Sequence, residues 1–282
     1  MQFLEIKDSD ENIVSMYYEV HGDGIPILLI HGWLCNSTFW EDFEKLSETK
    51  KYMLIIPDLR GHGETNHGSD SSISILAEDM RQLLDFLNIQ KAIVIGHSMG
   101  GLVAQEFYKK NPDRVIALGL WNTGAKIPLG YGTETLFYVL RIGAFISGLI
   151  LTYPIPGLFR FVLSQGWKLA FKKKGKSEAY IRYVPSVKQL KPKAVLKAAF
   201  ALAGFNGKKD LQNINVPVML LHGIYDRHIT PVQLFNYLKK NIAEYIAYES
   251  EQSAHFPPNE SFEEVYGYLT EYLEFLEKKG KI

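Results

Sequence analysis

The 282-residue chain contains a single cysteine, Cys35, so it cannot form an internal disulfide framework. The N-terminal segment lacks the basic stretch and apolar run of a secretory signal. Lys and Arg number 31, as do Asp and Glu, so the net charge is zero. We therefore expect a cytoplasmic protein that does not bind nucleic acid, and no feature of the sequence indicates an oligomeric state.

Several functional motifs are also missing from the chain. No G-x-G-x-x-G follows the first predicted parallel strand, which argues against dinucleotide binding. No HExxH or Cys-His ligand pattern is present, so we expect no metal site. Internal repeats and low-complexity tracts are absent as well. We predict an activity that needs no cofactor.

The hydrophobic pattern predicts an α/β protein. Short β-branched runs alternate with amphipathic segments at helical spacing, which favours an open, mostly parallel sheet with helices on both faces. The predicted strands cover residues 3–7, 14–20, 25–30, 52–57, 92–95, 115–121, 216–221 and 243–248, and the first two form an antiparallel pair. The predicted helices cover residues 74–87, 101–110, 231–241 and 261–278.

Residues 124–206 interrupt this alternation and are too long for a loop inside a compact domain. We predict a helical cap over these residues and a core domain formed by residues 1–123 and 207–282. Residues 160–209 carry thirteen Lys or Arg and one acid, Glu178. This basic stretch is either a solvated surface or a weak contact with an anionic membrane surface. Residues 142–159 hold no charge, but their prolines argue against a spanning helix.

Residues 96–101 read Gly-His-Ser-Met-Gly-Gly directly after a predicted buried strand and before a predicted helix. A serine at a sharp strand-to-helix turn projects its hydroxyl from the sheet, and such a turn needs neighbours without a Cβ. We predict that Ser98 is the nucleophile of this turn.

A serine nucleophile needs a base and an orienting carboxylate. Asp226 lies in a loop after a predicted strand, at the edge of the sheet where ligands of α/β proteins bind. His255 follows the last strand and is kept on a loop by Pro257 and Pro258. Asn122 is an amide and cannot supply the charge, which favours Asp226 as the acid.

Together these segments resemble the α/β-hydrolase superfamily, in particular its serine esterases and lipases with a cap domain. The resemblance rests on five motifs in order: HGW at 31–33, DLRGHG at 58–63, GHSMGG at 96–101, HG at 222–223 with Asp226 and Pro231, and AHFP at 254–257. It implies an eight-stranded, mostly parallel sheet and a cap at residues 124–206. It also implies an oxyanion hole formed by the backbone N–H groups of Trp33 and Met99.

The expected substrate is a small carboxylic ester with an apolar acyl group. The side chains of Trp33 and Met99 either line the acyl pocket or pack in the core. A second group of apolar residues either shapes an acyl tunnel or joins the cap to the core: Leu136, Phe137, Leu140 and Phe145.

Other activities stay open at this point. Carbon–carbon bond hydrolases of ring-cleavage products, lactonases and cofactor-free perhydrolases share this serine pattern. A small-molecule receptor that uses the capped pocket is the non-enzymatic alternative. The serine argues against epoxide hydrolases and haloalkane dehalogenases of the same superfamily, which require an aspartate at this position.

Four polar residues near these motifs are given structural roles. We predict that His31 and His97 hydrogen-bond loops instead of transferring protons. We also expect Asp58 and Arg60 to stabilise their loop through an ion pair.

Overall fold

The computed structural model describes residues 2–7, 13–66, 68–126 and 192–282. Its eight strands form one sheet in the order β1-β2-β4-β3-β5-β6-β7-β8, antiparallel for the β1–β2 and β2–β4 pairs and parallel elsewhere. The predicted mostly parallel eight-stranded sheet is therefore confirmed. The strands are β1 Gln2–Lys7, β2 Ile13–His21, β3 Ile25–Ile30, β4 Tyr52–Pro57, β5 Ala92–His97, β6 Val115–Trp121, β7 Val218–Gly223 and β8 Tyr245–Ser250.

Seven α-helices lie within the described ranges. They are α1 Lys45–Glu48, α2 Ile73–Phe86, α3 Met99–Lys110, α4 Pro192–Gly204, α5 Val232–Asn241, α6 Pro257–Glu260 and α7 Phe262–Lys278. A 3-10 helix, Ser37–Glu44, follows β3. The last two strands begin two residues later than predicted. For β7 the reason is Pro217, which lacks the N–H that a strand ladder requires. Its carbonyl still accepts a hydrogen bond from the N–H of Leu118.

The two faces of the sheet are buried by different hydrophobic clusters. Leu28 and Ile30 of β3 pack with α2 and α3, whereas Ile27 and Leu29 pack with the 3-10 helix and α7. This alternation is expected because successive side chains of a strand point to opposite faces. A strand covered on both faces reads as a continuous apolar run, which is why β3, β4 and β5 could be predicted from the sequence.

The prediction that Asp58 and Arg60 form an ion pair with each other is wrong. Arg60 forms a buried, two-pronged ion pair with Asp79 of α2, at 2.6 Å from Nε and 2.7 Å from Nη2. Asp58 instead accepts backbone N–H groups, at 2.6 Å from Ser37 and 2.9 Å from Glu64. Two residues of one tight loop end up facing different neighbours, and only the packing of α2 brings Asp79 within reach.

The predicted cap falls mainly on residues outside the described ranges, so its boundaries stay a prediction. Of residues 124–206, the structure describes 124–126 and 192–206, the latter including α4. The two ends of this insertion meet at the core, where the N–H of Gly207 donates to the carbonyl of Ala125 at 2.7 Å. In the parts of the chain that the structure describes, every helix is too short or too polar to cross a bilayer.

Candidate active site

Ser98 lies between β5 and α3 in the strained conformation expected of the turn, with φ of 52° and ψ of −113°. The neighbouring glycines make this turn possible. A Cβ on Gly96 would lie 2.1 Å from the carbonyl oxygen of Gly100, and one on Gly100 would lie 2.2 Å from that of Ile30. Helix α3 can therefore begin directly against the sheet, with the serine at its N-terminus.

The structure brings Ser98, His255 and Asp226 into one hydrogen-bonded chain. Ser98 Oγ lies 3.0 Å from His255 Nε2, and His255 Nδ1 lies 2.6 Å from Asp226 Oδ2. The carboxylate only accepts, so Nδ1 carries the proton and Nε2 is left to accept from the serine hydroxyl. All three side chains are buried. This arrangement can move a proton from the serine to the imidazole.

The Asp226 carboxylate is held by several donors besides His255. Thr230 donates from its hydroxyl to Oδ2 and from its N–H to Oδ1, and the N–H of Ile229 also donates to Oδ1 at 3.1 Å. Burial alone would raise the pKa of Asp226, but the electrostatic interaction with His255 and the side-chain hydrogen bonds from His255, Thr230 and Asn122 outweigh it. The pKa of Asp226 is therefore held well below its usual value, and the group is ionised.

Asn122 has a role that the sequence analysis missed. Its Nδ2 donates to Asp226 Oδ2 at 3.1 Å and to the carbonyl of Ala254 at 3.0 Å, and its Oδ1 accepts from the N–H of Gly223. Asn122 thus connects the end of β6 with the loops that carry the acid and the histidine. Its φ of 40° is a conformation that asparagine tolerates better than most residues.

The loop after β3 passes close to the serine turn. A Cβ on Gly32 would lie 2.8 Å from His97 Nδ1 and 3.2 Å from Ser98 Cβ, so only glycine allows this approach. Trp33 follows Gly32, and Met99 is the first residue of α3, where backbone N–H groups have no acceptor within the helix. The two residues predicted for the oxyanion hole are therefore carried by adjoining segments.

The two side chains predicted to line the acyl pocket differ in their surroundings. The side chain of Met99 is fully buried in the core cluster beside α2 and α3, which favours packing as its role. Trp33 is half-buried and contacts both core clusters. The other four predicted pocket residues lie outside the described residues: Leu136, Phe137, Leu140 and Phe145.

The loop hydrogen bonds predicted for His31 and His97 are present. His31 Nδ1 donates to the carbonyl of Gly32 at 2.8 Å, and its Nε2 accepts from the N–H of Leu59 at 3.0 Å. His97 Nε2 donates to the carbonyl of His255 at 2.7 Å. Each ring therefore joins two loops of the site and is neutral.

Buried neutral histidines give the fold a pH dependence. Burial, with a contribution from His62, lowers the pKa of His31 to about 3, and burial lowers that of His62 to about 4. Burial and the charge of His255 also hold the pKa of His97 well below its usual value. Burial raises the pKa of Asp58 to about 6, against the opposing N–H donors of Glu64 and Ser37.

We expect the free energy of unfolding to fall as the pH is lowered from 6.5 towards 4. In this window the unfolded chain binds protons at His31, His62 and His97 that the folded chain does not, at about 1.4 kcal/mol per pH unit per proton. Asp58 acts in the opposite sense between pH 6 and 3.8, because its folded form takes up the proton first. The three histidines outnumber it. Urea unfolding at several pH values measures the slope.

The variant His62→Asn should reduce that slope by about one proton, since asparagine does not titrate. His228→Asn is the matched control, because His228 is exposed. An unchanged slope in His62→Asn would contradict the assignment of a proton-linked role to the buried ring.

The described residues also include one group whose donor atoms are spaced like metal ligands. His21 Nε2 lies 3.1 Å from Glu19 Oε2 and 3.7 Å from Glu44 Oε1. The group is partly exposed on β2 and the 3-10 helix and includes no member of the Ser98 hydrogen-bonded chain.

Comparison with known proteins agrees with this fold. A family model described as the alpha/beta hydrolase fold matches residues 25–258. The chain belongs to this family. The alpha/beta hydrolase superposes on a thermophilic esterase from Thermogutta terrifontis with a TM-score of 0.83 at 24% identity, over 98% of this chain and 99% of that one. It superposes on a structure from a study of Nitrososphaera gargenis carboxylesterases with a TM-score of 0.80 at 25% identity, over 99% and 100% of the two chains.

The first sequence relatives of this alpha/beta hydrolase match shorter regions. An uncharacterized protein of Mycobacterium bovis is 39% identical over 109 residues, which cover 38% of this chain. The matched region spans about a third of that relative, 31% of its length. Weaker sequence similarity extends further: the AB hydrolase superfamily protein YisY of Bacillus subtilis is 24% identical over 245 residues, which cover 82% of this chain and 85% of that protein.

Proposed function

We propose that this alpha/beta hydrolase is a serine hydrolase that cleaves carboxylic esters. The observation that carries the proposal is the continuous hydrogen-bonded chain from Ser98 Oγ through His255 to Asp226. A serine hydroxyl is a weak nucleophile, and this chain supplies the base and the orienting carboxylate that activate it. The similarity to solved esterases supports the same reaction class.

In the proposed reaction Ser98 Oγ attacks the ester carbonyl while His255 Nε2 accepts the serine proton. The carbonyl oxygen becomes negative and is stabilised by the N–H groups of Trp33 and Met99, each worth about 3 kcal/mol in such sites. His255 returns the proton to the leaving alcohol, and an acyl-enzyme remains. Water, deprotonated by the same nitrogen, then attacks the acyl carbon and releases the acid. The mechanism requires no cofactor.

The electrostatics of the site fit this sequence of steps. The ionised Asp226 lies 2.6 Å from His255 Nδ1 and stabilises the positive charge that the ring acquires. Asp226 stays ionised because the side chains of Thr230 and Asn122 donate hydrogen bonds to its carboxylate. The charge on the imidazole therefore forms beside a fixed counter-charge, with no need for solvent to reorganise.

Labelling with a fluorophosphonate probe tests the nucleophile. We expect the wild-type chain to be labelled on Ser98 and Ser98→Ala to lose the label. Ser74→Ala is the matched control, since Ser74 lies on α2 and its hydroxyl pairs with Lys110. If Ser98 is not labelled and the protein binds a small molecule tightly, the serine hydrolase proposal is wrong and the receptor alternative is favoured.

A substrate series tests the bond that is cleaved. p-Nitrophenyl esters of increasing acyl length are assayed beside a ring-cleavage dienoate, a lactone and a perhydrolysis assay. We expect turnover of the esters, with a preference that reports the apolar acyl pocket. Activity confined to the dienoate, to the lactone or to perhydrolysis would overturn the assignment to carboxylic esters.

A further inference from the structure

The catalytic histidine of the proposed reaction lies on an irregular segment between β8 and α6. Loops are the more mobile parts of a fold, yet the ring of His255 has to meet Asp226 and Ser98 at the same time. Something outside the three-residue chain must therefore hold the backbone at His255. The hydrogen bonds of residues 254–256 show what does.

The carboxylate of Glu260 accepts backbone N–H groups on both sides of His255. Its Oε2 lies 2.7 Å from the nitrogen of Ala254 and 3.4 Å from the nitrogen of Phe256. A side chain that reaches back to the residue before its own helix is a common way to cap a helix, and Phe256 is that residue for α6. Capping does not account for the shorter contact, which goes to Ala254 on the far side of the histidine.

Two other side chains hold the carbonyl groups of the same segment. His97 Nε2 donates to the carbonyl of His255 at 2.7 Å, and Asn122 Nδ2 donates to the carbonyl of Ala254 at 3.0 Å. These two come from the ends of β5 and β6, so they connect the segment to the sheet. Glu260, the last residue of α6, binds the N–H groups of this segment, whereas His97 and Asn122 bind its carbonyl groups. Without it the N–H groups of the segment lose their charged acceptor.

We propose that Glu260 is a positioning residue for His255, acting through the backbone of residues 254–256. The proposal rests on the proposed serine hydrolase function. A hydrogen bond to a carboxylate is about twice as strong as one between neutral groups, so Glu260 is well suited to fix a peptide segment. A shift of about 1 Å in a reacting group can lower a rate by about 100-fold. The contacts of Glu260 with Ala254 and Phe256 go to the backbone, so it acts on His255 indirectly.

The test compares Glu260→Ala, Glu260→Gln and Glu263→Ala with the wild-type chain. Glu263 lies three residues further along, is exposed and pairs with Lys45, so its variant controls for the loss of one negative charge. For Glu260→Ala we expect kcat and the rate of fluorophosphonate labelling to fall by about 10- to 100-fold, with KM within about twofold. Glu260→Gln keeps an oxygen acceptor and should recover most of the rate. Thermal unfolding confirms that each variant is folded at the assay temperature.

The His255→Ala background separates positioning from general loss of structure. With the imidazole removed, adding Glu260→Ala should not lower the residual rate further. Equal losses in both backgrounds would overturn the proposal, and so would wild-type rates in Glu260→Ala or a rise in KM with kcat unchanged.

A measurement without substrate keeps the inference separate from the proposed function. The proton on His255 Nδ1, shared with Asp226, gives a downfield NMR resonance that is assigned by its absence in His255→Ala. We expect this resonance to broaden or disappear in Glu260→Ala and to persist in Glu260→Gln and Glu263→Ala. An unchanged resonance in Glu260→Ala overturns the positioning role. A wild-type chain that is not labelled by the fluorophosphonate overturns the serine hydrolase function instead.

Discussion

Ser98→Ala is expected to lower kcat/KM for ester hydrolysis by about 10⁶-fold, and combining it with His255→Ala should lower it no further. The two side chains share one proton across 3.0 Å, and neither can act on an ester alone. Their effects are therefore strongly non-additive. Steady-state kinetics on a p-nitrophenyl ester measure the four corners of the double-mutant cycle.

The exposed His228 provides the control for this cycle, because His228→Ala removes an exposed imidazole from the loop that carries Asp226. Wild-type kinetics are expected for it. If the separate losses in Ser98→Ala and His255→Ala instead multiplied in the double variant, the two residues would not act as one unit. That outcome would contradict the proposed mechanism even if both single variants were slow.

Asp226→Asn is expected to reduce kcat by about 10⁴-fold while leaving the fold intact. An amide in this place presents N–H to His255 Nδ1, so the ring proton moves to Nε2. The nitrogen that faces Ser98 then donates and cannot accept the serine proton. The amide also has one acceptor oxygen for the donors of Thr230 and Asn122, whereas the carboxylate has two.

Single-turnover measurements of acylation distinguish this loss from a slower release of product. Asp23→Asn is the matched control, since Asp23 is exposed and lies in the turn between β2 and β3. Retention of more than about a tenth of the wild-type acylation rate in Asp226→Asn would contradict the role of Asp226 in orienting His255 and would direct attention to another acid.

The elements that a local pattern encodes could be predicted well. β3, β4 and β6 have the predicted bounds, because an apolar run of six or seven residues closed by turn residues suits a strand covered on both faces. The serine turn was also predictable, since its Gly-x-Ser-x-Gly pattern is local, although the contacts that require Gly100 and Gly101 come from Ile30 and Thr123. Family membership follows from the order of these segments along the chain.

The partners of single polar groups could not be predicted in the same way. Arg60 pairs with Asp79 instead of Asp58, and Asn122 donates to Asp226 across 104 positions of sequence. Glu260 is close to His255 in sequence, but its contact with Ala254 depends on how α6 folds back on the loop. Such contacts are decided by the direction in which a side chain leaves a packed element, and periodicity carries no information about that direction.

Residue types, their order and their short-range spacing were thus enough to indicate the strands, the serine turn and the three residues of the candidate site. Three features emerged only from the packed sheet: the close approach of Gly32 to His97, the hydrogen bonds from Thr230 and Asn122 to Asp226, and the contact of Glu260 with the His255 segment. The physical reason is that a local pattern reflects which surface of an element is buried. A catalytic geometry, in contrast, depends on the ends of β3, β5, β6, β7 and β8 meeting at one edge.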